Sequence, residues 1–279
     1  LQAMSAHPLD AAMLQAISAA RQAGRWLMRG QLLSSYENQY QYLDAANQAA
    51  ALRPGDVFIQ RVLSDALWAV GSQQDNDGNP EQAYASFRDA FAYDPSNLDA
   101  LTSAVYAALE AGNVLLAEQT LAMAAPEQRE IFQYLEYSGL VALRRYNYQA
   151  ARDDFEKAAA RGQESPLMHL GLGLVSLHDR KSQQGHAHFR RAIEIATSGL
   201  DVLYTIVDHC RAHRFTSEAR RYAPDLVRLA TEAIAADPGW TLLYNYRAVG
   251  YRVLGEDANA ERDEAAAHSL VGWWDQPQF

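Results

Sequence analysis

Residues 64–97 read SDALWAVGSQQDNDGNPEQAYASFRDAFAYDPSN, and this 34-residue stretch decides the fold. It predicts two helices joined by a turn, because Gly78 lies among turn-forming residues and Pro80 suits the first turn of a helix. Small residues at positions 8 and 20 let two antiparallel helices approach closely, and a bulky residue at position 24 fills the space beside them. Counted from Ser64, positions 4, 8, 15, 20, 24, 27 and 32 are Leu67, Gly71, Gly78, Ala83, Phe87, Ala90 and Pro95.

The pattern recurs when this frame advances by 34 residues at a time, starting at Leu98, Phe132 and Pro166. The three steps hold without an insertion or a deletion. Self-similarity at such a period is the signature of a helical repeat array, in which each unit buries its apolar face against its neighbours. Marker residues of the later frames include Leu101, Gly112, Ala117, Leu121, Leu135, Gly139, Ala151, Phe155, Gly173, Gly185 and Phe189.

On these residues and this period, the chain resembles the tetratricopeptide repeat (TPR) family. The resemblance implies an all-α, right-handed α-solenoid of helix–turn–helix repeats, with about fourteen helices. It divides the chain into a divergent N-terminal repeat and lead-in (1–63), four regular repeats (64–199), an extended repeat (200–240) and a terminal repeat with a tryptophan-containing tail (241–279). In the extended repeat, Pro224 predicts a kink or the start of a new helix.

The two ends of the chain carry predictions of their own. Helices are expected over Leu9–Met28 and Ser34–Leu52 as the divergent N-terminal pair. At the other end, Trp273 and Trp274 either cap the last helix pair or dock on a partner or a second copy, because exposed tryptophan rings are costly in water. The second alternative predicts a homo-oligomer formed through the C-terminal end.

Composition excludes several classes of protein. The chain of 279 residues has a formal net charge of −10, which disfavours nucleic-acid binding because that needs Lys and Arg against phosphates. No apolar run reaches the roughly 18 residues of a membrane-spanning helix. Cys210 is the single cysteine, so no internal disulfide is expected. No secretory leader follows Leu1, and the compartment stays open, with the cytoplasm favoured over the periplasm.

The sequence contains no catalytic signature. The run Gly171–Ser176 begins like a dinucleotide-binding fingerprint, but it lacks the third glycine and lies in a predicted helix without a preceding strand. Cys210 occupies a core position of the frame, which favours a packed thiol over a nucleophile. The sequence therefore predicts a protein that is not an enzyme and has no cofactor. Two acidic pairs are expected to be solvated charges on outer helix faces: Asp153-Asp154 and Asp263-Glu264.

Histidines are the residues that come nearest to a metal site. His209 and His213 are four residues apart, which places them on one helical face where they could share an ion. His186 and His188 are two apart and point to different sides of a helix. Because no third ligand is evident in the sequence, packing is the favoured interpretation and no metal is predicted.

The TPR resemblance also implies where a partner would bind. In that family the first helix of each pair lines the concave face, and positions 2, 5, 9 and 12 of the frame face the groove. In this chain these positions include Ser72 and Asp75. The predicted peptide-binding groove consists of Trp68, Tyr106, Glu136, Leu140, Leu170, Leu174, Tyr204, Asp208, Arg211 and Arg252.

The groove is expected to be apolar in its middle, which suits an amphipathic helix or an extended segment of a protein. Its leucines are Leu140, Leu143, Leu170, Leu174 and Leu177; ordinary packing between repeats is the alternative for these side chains. Arg211 and Arg252 are expected to orient an acidic flank. No repeat has the Lys at position 5 and Asn at position 9 with which chaperone-binding relatives clamp a carboxylate. Stacking on sugar rings is a further alternative for Tyr36, Tyr40 and Tyr42.

These observations favour a non-catalytic adaptor or scaffold that binds a protein or peptide segment in its concave groove. The alternative is an assembly or regulatory module of a larger enzyme or of a bacterial envelope machine, such as one for polysaccharide export or secretion. TPR-like modules are common in such machines.

Overall fold

The computed structural model describes residues 22–25 and 39–274, with the backbone alone for 271–274. Within these ranges every regular element is helical, which confirms the predicted all-α class. A short 3₁₀ turn lies at Gln128–Glu130. The α-helices between residues 39 and 274 are α1 (Gln39–Leu52), α2 (Val57–Asn76), α3 (Pro80–Tyr93), α4 (Leu98–Glu110), α5 (Val114–Leu121), α6 (Phe132–Arg144), α7 (Tyr148–Ala159), α8 (Pro166–His178), α9 (Ser182–Ile195), α10 (Gly199–Ala212), α11 (Thr216–Ala236), α12 (Thr241–Leu254) and α13 (Asp257–Trp274).

The chain forms two compact units, Leu1–Asn147 (unit 1) and Tyr148–Phe279 (unit 2). In each unit, every helix packs against the next one along the chain. The first helices of successive pairs also contact one another: α2, α4 and α6 in unit 1, and α8, α10 and α12 in unit 2. Each unit thus has the consecutive helix pairs of a TPR-like fold. No helix in the described ranges is both long and apolar enough to cross a membrane.

Glycines at position 8 allow the helices of a pair to approach closely, as the sequence predicts. A Cβ on Gly71 would lie 2.7 Å from the Cδ1 atom of Phe87, the position-24 residue of the same pair. The same relation holds in unit 2, where a Cβ on Gly173 would overlap the ring of Phe189. Because a close-packed interior leaves no room for another atom, the phenylalanine rings specify glycine opposite them.

Helix boundaries differ from the predicted frame at two places. Helix α2 begins at Val57, seven residues before Ser64, because the Asp56 carboxylate caps it by accepting hydrogen bonds from the backbone N–H groups of Phe58 (3.0 Å) and Ile59 (3.3 Å). Helix α11 is 21 residues long and contains Pro224 in its interior, so no new helix begins at this proline. The predicted helix Leu9–Met28 lies almost wholly outside the described residues, as do the side chains of Trp273 and Trp274.

Position 15 of the frame adopts a left-handed backbone at all six places from Gly78 to Gly255, whether or not the residue is glycine. Non-glycine residues are strained there, because their Cβ approaches the following carbonyl oxygen. The six φ angles lie between 59° and 82°, at Gly78, Gly112, Tyr146, Arg180, Arg214 and Gly255.

Replacing Arg180 with glycine is therefore expected to stabilise unit 2 by about 0.5–1 kcal/mol. The change removes a left-handed strain of about 1–2 kcal/mol, and the greater entropy of glycine in the unfolded chain offsets about half of this. Urea unfolding measures the difference. The matched control is Arg190→Gly in the interior of α9, which is expected to lose about 1 kcal/mol. Equal losses of stability in Arg180→Gly and Arg190→Gly would contradict the backbone strain at position 15.

Candidate functional site

The predicted leucines of unit 2 are not an accessible surface. The side chains of Leu170 and Leu174 are 8% and 4% exposed, and Leu177 is fully buried. Helix α8 is apolar on nearly all sides, and its neighbours α7, α9 and α10 cover it. Leu170 and Leu174 therefore belong to the packing of unit 2, which corrects their predicted place in the groove and agrees with the packing alternative.

The other predicted residues of unit 2 interact with side chains of the same unit. The ring of Tyr204 stacks on that of Tyr246, with 4.1 Å between their centroids. Arg211 binds Asp208 at 2.6 Å. Arg252 binds Glu264 at 2.9 Å and also contacts Asp257. These two arginines already have carboxylate partners on their own unit, so an acidic flank of a ligand would have to compete for them.

In unit 1 the structure brings several predicted groove residues together around a concave pocket of about 220 Å³. The first helices α2, α4 and α6 provide most of its wall, and α3 provides the rest. We call this site the acidic pocket; its lining residues are Ser72, Asp75, Asn76, Phe87, Ser103, Tyr106 and Tyr137.

Two aromatic side chains border the acidic pocket and are open to solvent. Trp68 is 38% exposed and Tyr106 is 40% exposed. The indole N–H of Trp68 donates to the Ser103 hydroxyl at 3.1 Å, and the Ser72 hydroxyl donates to the Trp68 carbonyl at 3.0 Å. The bond to Ser103 holds the indole ring at the edge of the pocket.

The acidic pocket combines aromatic rings with partly desolvated carboxylates. Burial raises the pKa of Asp75 and, in spite of the nearby guanidinium of Arg144, the pKa of Glu110. Burial, and then the charges of Glu110 and Asp75, raise the pKa of Tyr106. Burial and the charges of Glu136, Asp99 and Asp75 raise the pKa of Tyr137 to about 12. Both phenols are therefore neutral at physiological pH.

The remaining predicted residues of unit 1, Glu136 and Leu140, are not among those that line this pocket. Glu136 is buried, and its charge acts on Tyr137. Leu140 packs against the hydrophobic core around Leu109 and Val141. Tyr137 lies at position 6 of its frame, whereas the predicted groove residues lie at positions 5, 9 and 12. Positions 6 and 13 complete the site with Asn76, Ser103, Glu110, Tyr137 and Arg144.

Some of the residues that were considered for chemistry lie in the core. Cys210 is fully buried, as predicted, and burial raises the pKa of its thiol to about 12. Asp263 was expected to be a solvated charge, but it is 3% exposed. Arg247 pairs with its carboxylate, which explains how this charge is tolerated inside unit 2.

Of the tyrosines with a predicted alternative role in sugar stacking, Tyr40 is exposed and Tyr42 is half-buried; Tyr36 lies outside the described residues.

Three histidines meet in unit 2. His209 and His213, the pair seen in the sequence, stack at 4.1 Å between centroids near the end of α10. His178, the last residue of α8, lies against both of them. Burial and the neighbouring His213 lower the pKa of His178 to about 4, so this imidazole is neutral at physiological pH.

Comparison with known proteins identifies the fold. No family model matches the sequence, and no curated protein matches it. Among solved structures, a tetratricopeptide repeat protein from Parabacteroides merdae is similar with a TM-score of 0.62 and 17% identity, over 90% of this chain and 93% of that one. PilF from Pseudomonas aeruginosa is similar with a TM-score of 0.52 and 19% identity, over 76% of this chain and 93% of that one. The chain therefore has a TPR-like repeat fold, as the sequence predicts.

Proposed function

We propose that this chain is a non-catalytic scaffold that binds a segment of another protein on the first-helix face of unit 1, and that the acidic pocket receives an arginine or lysine side chain of that segment. The observation that carries the proposal is the juxtaposition of Asp75 and Glu110 with the open rings of Trp68 and Tyr106. The first-helix face is the surface formed by α2, α4 and α6, which corresponds to the concave binding face of TPR proteins.

A basic side chain suits this pocket in charge. Desolvated carboxylates are costly unless they are paired, so a cation that reaches Asp75 gains more than it would at a fully solvated carboxylate. An aromatic face within about 6 Å attracts the same cation. Trp68 and Tyr106 can offer such faces beside the carboxylate. An acidic or a purely apolar side chain would leave the Asp75 carboxylate without a positively charged partner.

The size of the pocket also favours a side chain. Sites for whole small molecules usually measure about 300–1,000 Å³, whereas the acidic pocket measures about 220 Å³. It lies on three successive first helices, so a protein segment that crosses α2, α4 and α6 can place one residue in it. Both an amphipathic helix and an extended strand of polypeptide satisfy this geometry.

A non-catalytic role is supported by the burial of two side chains that could otherwise react. The Cys210 thiol is buried and protonated, and the buried Asp263 is committed to Arg247. The fold shared with the Parabacteroides merdae protein is a repeat scaffold. A role as an assembly module of a bacterial envelope machine stays a prediction.

Selection from a random peptide display library tests the proposal. The unmodified chain is expected to enrich peptides with Arg or Lys at one fixed position, and the Asp75→Asn variant is expected to lose that preference. The matched control is Asp89→Asn, which removes one exposed carboxylate from α3 of the same unit. Enrichment of acidic or apolar peptides, or a preference that Asp75→Asn leaves unchanged, would contradict the proposed site.

Affinity and stability are expected to respond to Asp75→Asn in opposite directions. For a selected peptide, loss of a charged partner should weaken binding by about 10- to 100-fold, as measured by fluorescence polarisation. The folded-state pKa of Asp75 is raised, so its ionisation costs stability as pH rises above the unfolded value of about 3.9. At pH 7 the thermal midpoint of the variant should therefore be equal or higher. A lower midpoint together with unchanged affinity would show that Asp75 is a structural residue.

A further inference from the structure

The three histidines of unit 2 present their ring nitrogens to one another. His178 is the last residue of α8, His209 lies in the last turn of α10, and His213 is the C-cap residue that directly follows α10. The Nε2 atoms of His178 and His209 are 3.1 Å apart. One ring nitrogen from each of the three residues lies within 4.8 Å of the others.

We propose that His178, His209 and His213 bind one divalent transition-metal ion of the Zn²⁺ type, each through one ring nitrogen. Two nitrogens that bind a tetrahedral Zn²⁺ at about 2.0–2.1 Å are separated by roughly 3.3 Å. The distance between His178 and His209 is already close to this value, and a ring nitrogen of His213 lies within 4.8 Å of both residues. Three histidines leave a fourth position for water or for a group from a partner.

Aromatic contacts hold the ring of His178 in place. The ring of Tyr148 stacks on it with 3.7 Å between centroids and an interplanar angle of 18°. Phe215 packs edge-on against it at 4.9 Å. His209 and His213 hold each other by stacking. All three histidines are half-buried, so the rings are ordered by packing while an ion from solvent can still reach them.

The repeat frame explains why the sequence did not reveal the third ligand. His178 precedes His209 by 31 residues, almost one repeat, and it occupies position 13 of its frame. His209 and His213 occupy positions 10 and 14 of the next frame. Contact between neighbouring first helices brings these positions together. This arrangement supplies the third ligand whose absence from the sequence led to the prediction that no metal is bound.

Isothermal titration of the untagged chain with Zn²⁺, and absorption spectroscopy with Co²⁺ in its place, test the proposal. We expect one ion per chain and the visible absorption bands of a tetrahedral Co²⁺ site. Loss of an outer-shell partner of a metal typically weakens affinity by about 10–100-fold, so loss of a direct ligand in His178→Gln or His213→Gln should weaken it by at least about 100-fold. Circular dichroism checks that both variants fold.

The control uses a second contact between histidines in the same unit. The Nδ1 atoms of His169 and His188 are 3.0 Å apart, but this pair lacks a third histidine among the described residues. His188→Gln should leave Zn²⁺ affinity, stoichiometry and the Co²⁺ spectrum unchanged. Absence of binding by the unmodified chain, binding that survives His178→Gln, or binding that His188→Gln abolishes would each overturn the proposal. The outcome is independent of the acidic pocket, which lies in unit 1.

Discussion

Replacing Phe155 with alanine is expected to destabilise unit 2 by about 3–5 kcal/mol. The side chain is fully buried and occupies position 24 in α7. A Cβ on Gly171 would overlap its ring, which shows that the ring packs directly on the backbone of α8. Helix backbones cannot collapse into the space of a lost ring as flexible side chains do, so the cavity should stay open and the cost should be near the upper end.

Urea unfolding followed by circular dichroism measures this loss. The matched control is Phe58→Ala on α2, which removes the same side chain from a site where it is exposed, and it should change stability by less than about 0.5 kcal/mol. Gly171→Ala provides a reciprocal test, because it is destabilising while the ring is present and should be tolerated once Phe155 is alanine. Equal losses for Phe58→Ala and Phe155→Ala would contradict the packing described for α7 and α8.

The fold was predictable because its determinants are local and periodic. Gly71 and Phe87 lie on different helices of one pair and are well separated in the sequence. The 34-residue frame predicted that they are in contact, and the structure confirms this. The starts of α6, α8 and α12 coincide with the frame positions Phe132, Pro166 and Thr241. Helix starts that depend on a cap were less predictable, as the Asp56 cap of α2 shows.

The candidate sites were only partly predictable, because burial and pairing depend on several helices at once. Asp75 and Tyr106, which occupy predicted groove positions of the frame, line the acidic pocket, whereas Leu174 shares the frame position of Tyr106 and is buried. The difference is that α8 is covered by neighbouring helices on nearly all sides, and helix periodicity alone does not show this. His178 joins the other histidines through a contact between repeats, which spacing within one helix does not reveal.

Replacing Arg247 with methionine is expected to destabilise unit 2 by about 3–5 kcal/mol, because it leaves a buried carboxylate without its counterion. Arg247 on α12 binds Asp263 on α13 through two parallel hydrogen bonds, Nε to Oδ2 and Nη2 to Oδ1, both 2.7 Å long. The two side chains are 17% and 5% exposed. Arg247 also donates to the Thr231 hydroxyl of α11 at 3.2 Å, so it ties together three consecutive helices.

A double substitution separates the contribution of the Arg247–Asp263 ion pair from the cost of burying the Asp263 carboxylate alone. Arg247→Met combined with Asp263→Leu removes both charges and keeps apolar volume, so it should recover most of the stability that Arg247→Met loses. The matched control is Arg228→Met on α11, whose partners Asp225 and Glu232 are exposed, and it should have little effect. If the double variant is as unstable as Arg247→Met alone, the arginine stabilises unit 2 through its contact with Thr231 and its packing. Recovery would show that the stranded carboxylate of Asp263 accounts for the loss.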